Sequence, residues 1–202
     1  MNRNSHPEPR LRERLRNATA RAIADAAEEV FAAHGVRDAR MEEIAARAGV
    51  AVGTVYNHFQ DRSALFAELV ERRRQELAHK LDAAFAEVKG EPFAVQLRSF
   101  SRTVFEHFET HAAFLSIMLE SDSAHARQPS PAMLELRKRV EGLVERGIHE
   151  RALRQKGREL WPAMLFGAVR GVLVHELRNP GKLALAERAD AVCDFFLHGA
   201  AV

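Results

Sequence analysis

Residues 41–60 read MEEIAARAGVAVGTVYNHFQ, and their spacing calls for two short helices meeting at a tight corner. Met41, Ile44, Ala45 and Ala48 recur at three and four residues, the period of one helix face, as far as Gly49. Glycine enters the left-handed backbone region without a Cβ clash, so the chain turns there. Val52, Val55 and Phe59 then resume the period. A small residue at the crossing (Ala45), a short glycine turn, and Ile44, Val50 and Val55 to fix the interhelical angle meet the steric demands of a helix-turn-helix. The same pattern also suits an ordinary corner between two helices, and these residues alone leave both readings open.

On the N-terminal side, Ala20, Ile23, Ala24, Ala27, Val30 and Phe31 keep the helical period and stop at Gly35, a natural helix end. On the C-terminal side, Asp61 is a good N-cap for a long helix running through Phe66, Leu69, Val70, Leu77, Leu81, Phe85 and Val88, ended by Gly90 and Pro92. Helices follow near 92–108 and 111–120, and a polar stretch to Pro131 reads as a loop. Three more amphipathic segments lie near 132–153, 158–178 and 183–199, the last two separated by Asn179-Pro180-Gly181. Sustained alternation of the strand kind is missing, as is any 20–50-residue repeat. The expected fold is all-α: an N-terminal three-helix helix-turn-helix domain followed by a larger C-terminal helical domain.

The chain has 202 residues, with 47% hydrophobic and 29% charged, enough for one or two domains with a buried core. A lone Cys193 makes no internal bridge, and no apolar run suggests a secretory leader or a bilayer span. The expected setting is therefore cytoplasmic, with no membrane partner. The 30 Lys and Arg against 28 Asp and Glu leave a net charge of only +2, but the distribution is uneven. Residues 1–24 hold Arg3, Arg10, Arg12, Arg14, Arg16 and Arg21 against Glu8 and Glu13, a net of +4, whereas residues 81–202 hold 16 charges of each sign. This basic arm is either a solvated tail or a nucleic-acid contact.

The stretch resembles the TetR/AcrR family of transcriptional regulators, whose members carry a pattern like IAxxAGVSxGTxYxHFxxKxxL. Here Ile44-Ala45, Ala48-Gly49-Val50, Gly53-Thr54, Tyr56, His58-Phe59 and Leu65 stand in the same register. The likeness covers roughly residues 17–70; beyond it only the number and order of helices agree. Three positions depart from the pattern. Ala51 replaces the usual Ser before the second helix of the motif and so loses a side-chain cap. Val52 replaces a frequent Lys and offers only apolar contact, and Arg40 replaces a Thr, bringing charge in place of a cap.

The resemblance implies double-stranded DNA as partner, with Val52, Gly53 and Thr54 entering the major groove at the start of a recognition helix. Tyr56, His58, Arg40 and Arg62 are then expected to hold phosphates. Asn57 either reads adenine through its two-pronged amide or is solvated. A palindromic operator read by a homodimer follows, because one unit touches few base pairs. In the resembling family the last two long helices pair with their symmetry mates, and Gly167, Gly171 and Phe196, with Phe195 and Leu197, are the residues expected at that interface. Residues 1–62 are thus expected to bind DNA, and 63–202 to sense an effector and dimerise.

Phe100, Phe105, Phe108, Phe114, Met118, Met133, Trp161 and Met164 suit an adaptable apolar cavity for a small hydrophobic effector whose binding releases a repressor. His107 and His111 share a helix spacing but lack a third ligand nearby, so no metal is expected. Without a phosphate loop, nucleophile elbow or Cys-x-x-Cys, neither an enzyme nor a resident cofactor is expected.

Overall fold

In a computed structural model the described residues are 9–121, 130–179 and 187–200, with side chains except at 9, 118–121 and 200. Among them the secondary structure is helical throughout: α1 (Pro9–Asp38), α2 (Met41–Ala48), α3 (Val52–His58), α4 (Arg62–Glu87), α5 (Phe93–Thr110), α6 (Ala112–Ser121), α7 (Pro131–His149), α8 (Trp161–Arg178) and α9 (Arg188–Ala200). The all-α fold expected from the sequence is the one observed.

The chain divides into two compact units, Met1–Val70 and Glu71–Val202. The boundary lies inside α4 rather than at its start. The reason is packing: Leu65, Phe66 and Leu69 are buried, and Phe66 meets Phe31 edge-on with ring centroids 6.0 Å apart. The first turns of α4 therefore complete the first unit's core.

In the first unit α1 begins at Pro9, a residue whose fixed φ and missing N–H suit the first helical position. From that point the basic arm is helix, with Arg10, Arg12, Arg14, Arg16 and Arg21 exposed along it. Arg3 lies outside the described residues. The helix is interrupted at Gly35 (φ 76°, ψ 159°), where its end was expected. Ile23, Ala24, Ala27, Val30 and Phe31 bury the face that the sequence spacing marked.

In the second unit α5 packs along α9 and α7, α8 against α7 and α9, and α6 against α8. Pro92 gives α5 no side-chain cap, and the Phe93 N–H donates instead to Glu150 Oε2 at 2.7 Å. α5 and α7 approach so closely at Gly147 that a Cβ there would stand 2.8 Å from the Phe93 ring. α7 stops at His149, short of the expected 153. The Gly147 carbonyl accepts from the Ala152 and Leu153 N–H groups, and Arg151 takes a positive φ of 60°. Cys193 is buried with its thiol 3.5 Å from Ser101 Oγ, and burial pushes its pKa up. No described helix is long and apolar enough to cross a membrane.

Candidate nucleic-acid interface and ligand cavity

The corner between α2 and α3 is built as its residues dictate. Gly49 takes φ 68° and ψ 30°, and the Gly49 N–H donates to Ala46 O at 3.2 Å while the Val50 N–H reaches Ala45 O at 3.0 Å. This crossed pair of bonds is the Schellman end of a helix and satisfies carbonyls that would otherwise be orphaned. Met41, Ile44, Ala45, Val55 and Phe59 are buried beneath the corner. Neither Arg40 nor Ala51 caps its helix with a side chain. Asp61 does: its Oδ1 accepts from the Ala64 N–H at 2.7 Å.

With Val55 anchored, the opposite side of α3 faces outward. Gly53, Tyr56 and Asn57 are exposed, Tyr56 by 50%, and Val52, Thr54 and His58 are half-buried. No atom lies within 4 Å of where a Gly53 Cβ would sit, so the backbone is open to close approach. Arg40 is exposed one residue before α2. Arg62 donates one N–H to the Ala39 carbonyl at 3.0 Å, which ties it to the α1–α2 connection and leaves further guanidinium donors. A cross-link between Arg47 and Glu29 joins α2 to α1.

The second unit holds a cavity of about 240 Å³ lined from α4, α5, α6, α7 and α8. Of the residues expected to contact an effector, Phe100, Phe108, Phe114 and Met133 line it, with Phe108 and Phe114 stacked at 6.2 Å between centroids. Phe105 is fully buried elsewhere in the core. Trp161 packs edge-on against Phe196 at 6.2 Å and donates from Nε1 to Arg154 O at 2.9 Å, so it is held away from the cavity. Met164 is 49% exposed on α8, and the side chain of Met118 lies outside the described residues.

The sequence reading missed the cavity's polar members, Arg73, Arg74, Arg170 and His107. One signal was present: Arg73 falls between Leu69 and Leu77 at a spacing of four, on the apolar face of α4. Arg73 pairs with Glu76 at 2.9 Å, and Arg74 donates to Ser130 Oγ at 3.1 Å. His107 is 1% exposed, and its ring lies 4.9 Å from that of His111. Burial, with His111, Lys80 and Arg73 nearby, pushes the His107 pKa down to about 3, so the imidazole is neutral.

Among the residues expected at a dimer interface, Phe196 is buried at 4% exposure, because that side of α9 packs into its own unit; its neighbour Phe195 is 72% exposed. Gly171 is exposed on α8 with open space where a Cβ would stand, and Gly167 is exposed and borders the cavity.

Residues 23–69 match the model of bacterial regulatory proteins, tetR family. A transcriptional repressor of Brucella suis, BepR, is 43% identical over 56 residues, 28% of this chain. In that repressor and the two similar Pseudomonas putida regulators the match spans 27%, 28% and 44% of their own lengths. A fatty acid metabolism regulator of Bacillus subtilis is 24% identical over 190 residues, covering 88% of this chain and 93% of that protein. Among solved structures, the Bacillus subtilis transcriptional regulator FadR in complex with stearoyl-CoA superposes with a TM-score of 0.73 over 88% of this chain and 97% of its own, at 20% identity, a likeness of fold. The matched segment covers α2, α3 and the buried residues of α1 and α4 that hold them, and over residues 23–69 the chain is similar to the tetR family of bacterial regulatory proteins.

Proposed function

We propose that this protein is a transcriptional regulator, a ligand-responsive repressor that binds a palindromic operator as a homodimer and is released by a small molecule with an apolar body. The observation that carries the DNA-binding half is the outward face of α3, with Gly53 open to close approach and Tyr56 and Asn57 exposed while Val55 holds the helix in place. Val52, Gly53 and Thr54 are assigned to the major groove, Tyr56, His58, Arg40 and Arg62 to phosphates, and Asn57 to either a base edge or water.

The exposed apolar residues of α8 and α9 support the homodimer. Met164, Leu177 and Phe195, with Leu160 just before α8, are large hydrophobics in water, and Gly171 offers close helix approach. Of the two adjacent phenylalanines expected at the interface, Phe195 is the one assigned to it, since Phe196 is buried. The cavity, walled by Leu77, Phe100, Phe108 and Leu173, supports an apolar effector, and a protein of the same fold carries stearoyl-CoA. α4 contributes Leu65 and Leu69 to the first unit's core and Arg73 and Leu77 to the cavity wall. An effector that shifts α4 would lower operator affinity with a coupling of about 1–3 kcal/mol.

Selection from random duplexes followed by titration at several salt concentrations tests the proposal. Retention should fall with salt, and the selected site should contain two half-sites about 34–36 Å apart or a multiple of that. Tyr56→Ala should weaken binding to every sequence about equally, and Thr54→Ala should alter preference at particular bases. Salt-independent or absent retention would sink the DNA-binding reading.

A further inference from the structure

The hollow of the second unit is walled by Leu77, Leu81, Phe100, Phe108, Val140 and Leu173 among others, and the surface presented to it is almost wholly carbon. Four polar side chains also stand on the wall, and each is already engaged or closed. Arg73 is paired with Glu76 at 2.9 Å, Arg74 donates to Ser130 Oγ at 3.1 Å, and Arg170 is partnered on α8. His107 is 1% exposed, and its Nδ1 is sealed from water. No Asp or Glu is among the described lining residues. A ligand hydroxyl, amine or carboxylate brought inside therefore sheds its water and gains no partner, a loss that is largest for a charged group. Carbon brought inside restores the dispersion contacts that the hollow gives up.

We infer that the cavity takes a neutral hydrocarbon, a compact ligand with no polar head group inside the wall. This rests on the reading of the cavity as the effector site and adds the class of effector that the wall selects. Size narrows the class. A dry apolar cavity of about 150 Å³ holds one benzene ring, so a hollow of about 240 Å³ has room for two fused rings. The wall also favours a flat ring: Phe100, Phe108, Phe114 and Phe166 line it, and aromatic faces attract one another by more than buried area alone.

Equilibrium dialysis of the full chain against naphthalene, 2-naphthol and 2-naphthoate, without DNA, tests this directly. Transfer to octanol, where a hydroxyl keeps hydrogen bonds, costs that group up to about thirtyfold, and transfer to cyclohexane, where it keeps none, costs far more. Naphthalene should therefore bind more than about thirtyfold more tightly than 2-naphthol, with 2-naphthoate weaker still. In wild-type protein carrying ¹³C-methyl leucine and valine, the methyl resonances of Leu77, Leu81, Val140 and Leu173 should shift with naphthalene, a readout independent of any variant's folding. 2-Naphthol within about thirtyfold of naphthalene, or 2-naphthoate tighter than 2-naphthol, would mean that the wall supplies a polar partner. Either result overturns the hydrocarbon assignment and leaves the effector cavity standing. If naphthalene binds without moving those methyl groups, or if none of the three probes binds, the cavity reading fails with it, whereas salt-dependent DNA retention stands or falls on its own.

Discussion

Beneath α2 and α3, Ile23, Ile44, Val55, Leu65 and Leu69 are wholly sealed from solvent around the small Ala45, whereas the second unit leaves about 240 Å³ open among Leu81, Phe100, Val140 and their neighbours. The two cores use the same kinds of residue for opposite ends. A filled core transmits strain and holds a short, seven-residue helix such as α3 in one orientation, which a surface reading a repeating duplex requires. A hollow core gives up dispersion contacts along its walls, and a ligand that fills it returns them. The polar groups follow the same division. In the first unit Arg62 and Asp61 bond to backbone at helix ends, while in the second His107 is buried with an atom unpaired.

The largest expected effect concerns His107, which faces His111, Lys80 and Arg73, with Glu76 beyond His111. Its folded pKa of about 3 lies below the ordinary 6.5. Between those values the unfolded chain takes up a proton that the folded protein refuses, so stability is full above the ordinary value and is lost as pH falls towards 3. By about pH 4 the loss from this one group should reach about 3 kcal/mol. Denaturant titrations of the wild type and of His107→Leu at neutral and acid pH measure it. Equally steep acid destabilisation in the two proteins would place the pH dependence elsewhere.

Overpacking sharpens the contrast between the two cores. Ala45→Leu puts three carbons into the sealed crossing of α2 and α3 and should cost about 2 kcal/mol. Val140→Leu directs its extra methylene into open space and should cost under about 1 kcal/mol while weakening binding of an apolar ligand. Chemical denaturation ranks the two, and similar losses would mean that the second core is as tightly closed as the first.

The smallest effect is at a helix end. Ala51 leaves α3 without a side-chain cap, so Ala51→Ser should stabilise the first unit by about 0.5–1 kcal/mol, read as a raised melting temperature. Asp61→Ala removes a cap that is made and should cost about 1 kcal/mol. A neutral result for both would show that packing alone sets these helix ends.

The helix-turn-helix was legible because every force that shapes it acts within a few residues. Gly49 turns the chain, Asp61 caps, and Ile44 and Val55 repeat at helical spacing. The cavity was legible only in part. Phe100 and Phe105 share a helix and both are buried, yet only Phe100 lines the cavity. Trp161 looked like a cavity aromatic and instead binds the Arg154 carbonyl and Phe196.

By itself the sequence determined the helices, their ends and the turn between α2 and α3, since propensity, capping and period are properties of neighbouring residues. Tertiary structure alone decided which of two adjacent aromatics on α9 is interior, since Phe195 and Phe196 differ by about 100° around one helix and the neighbouring helices choose between them. It alone decided, too, that α4 through α8 leave a hollow, with Arg73 and His107 on its wall. Empty volume belongs to no residue: it is the difference between how far apart the backbones settle and how far the side chains reach, and the chain order carries neither quantity.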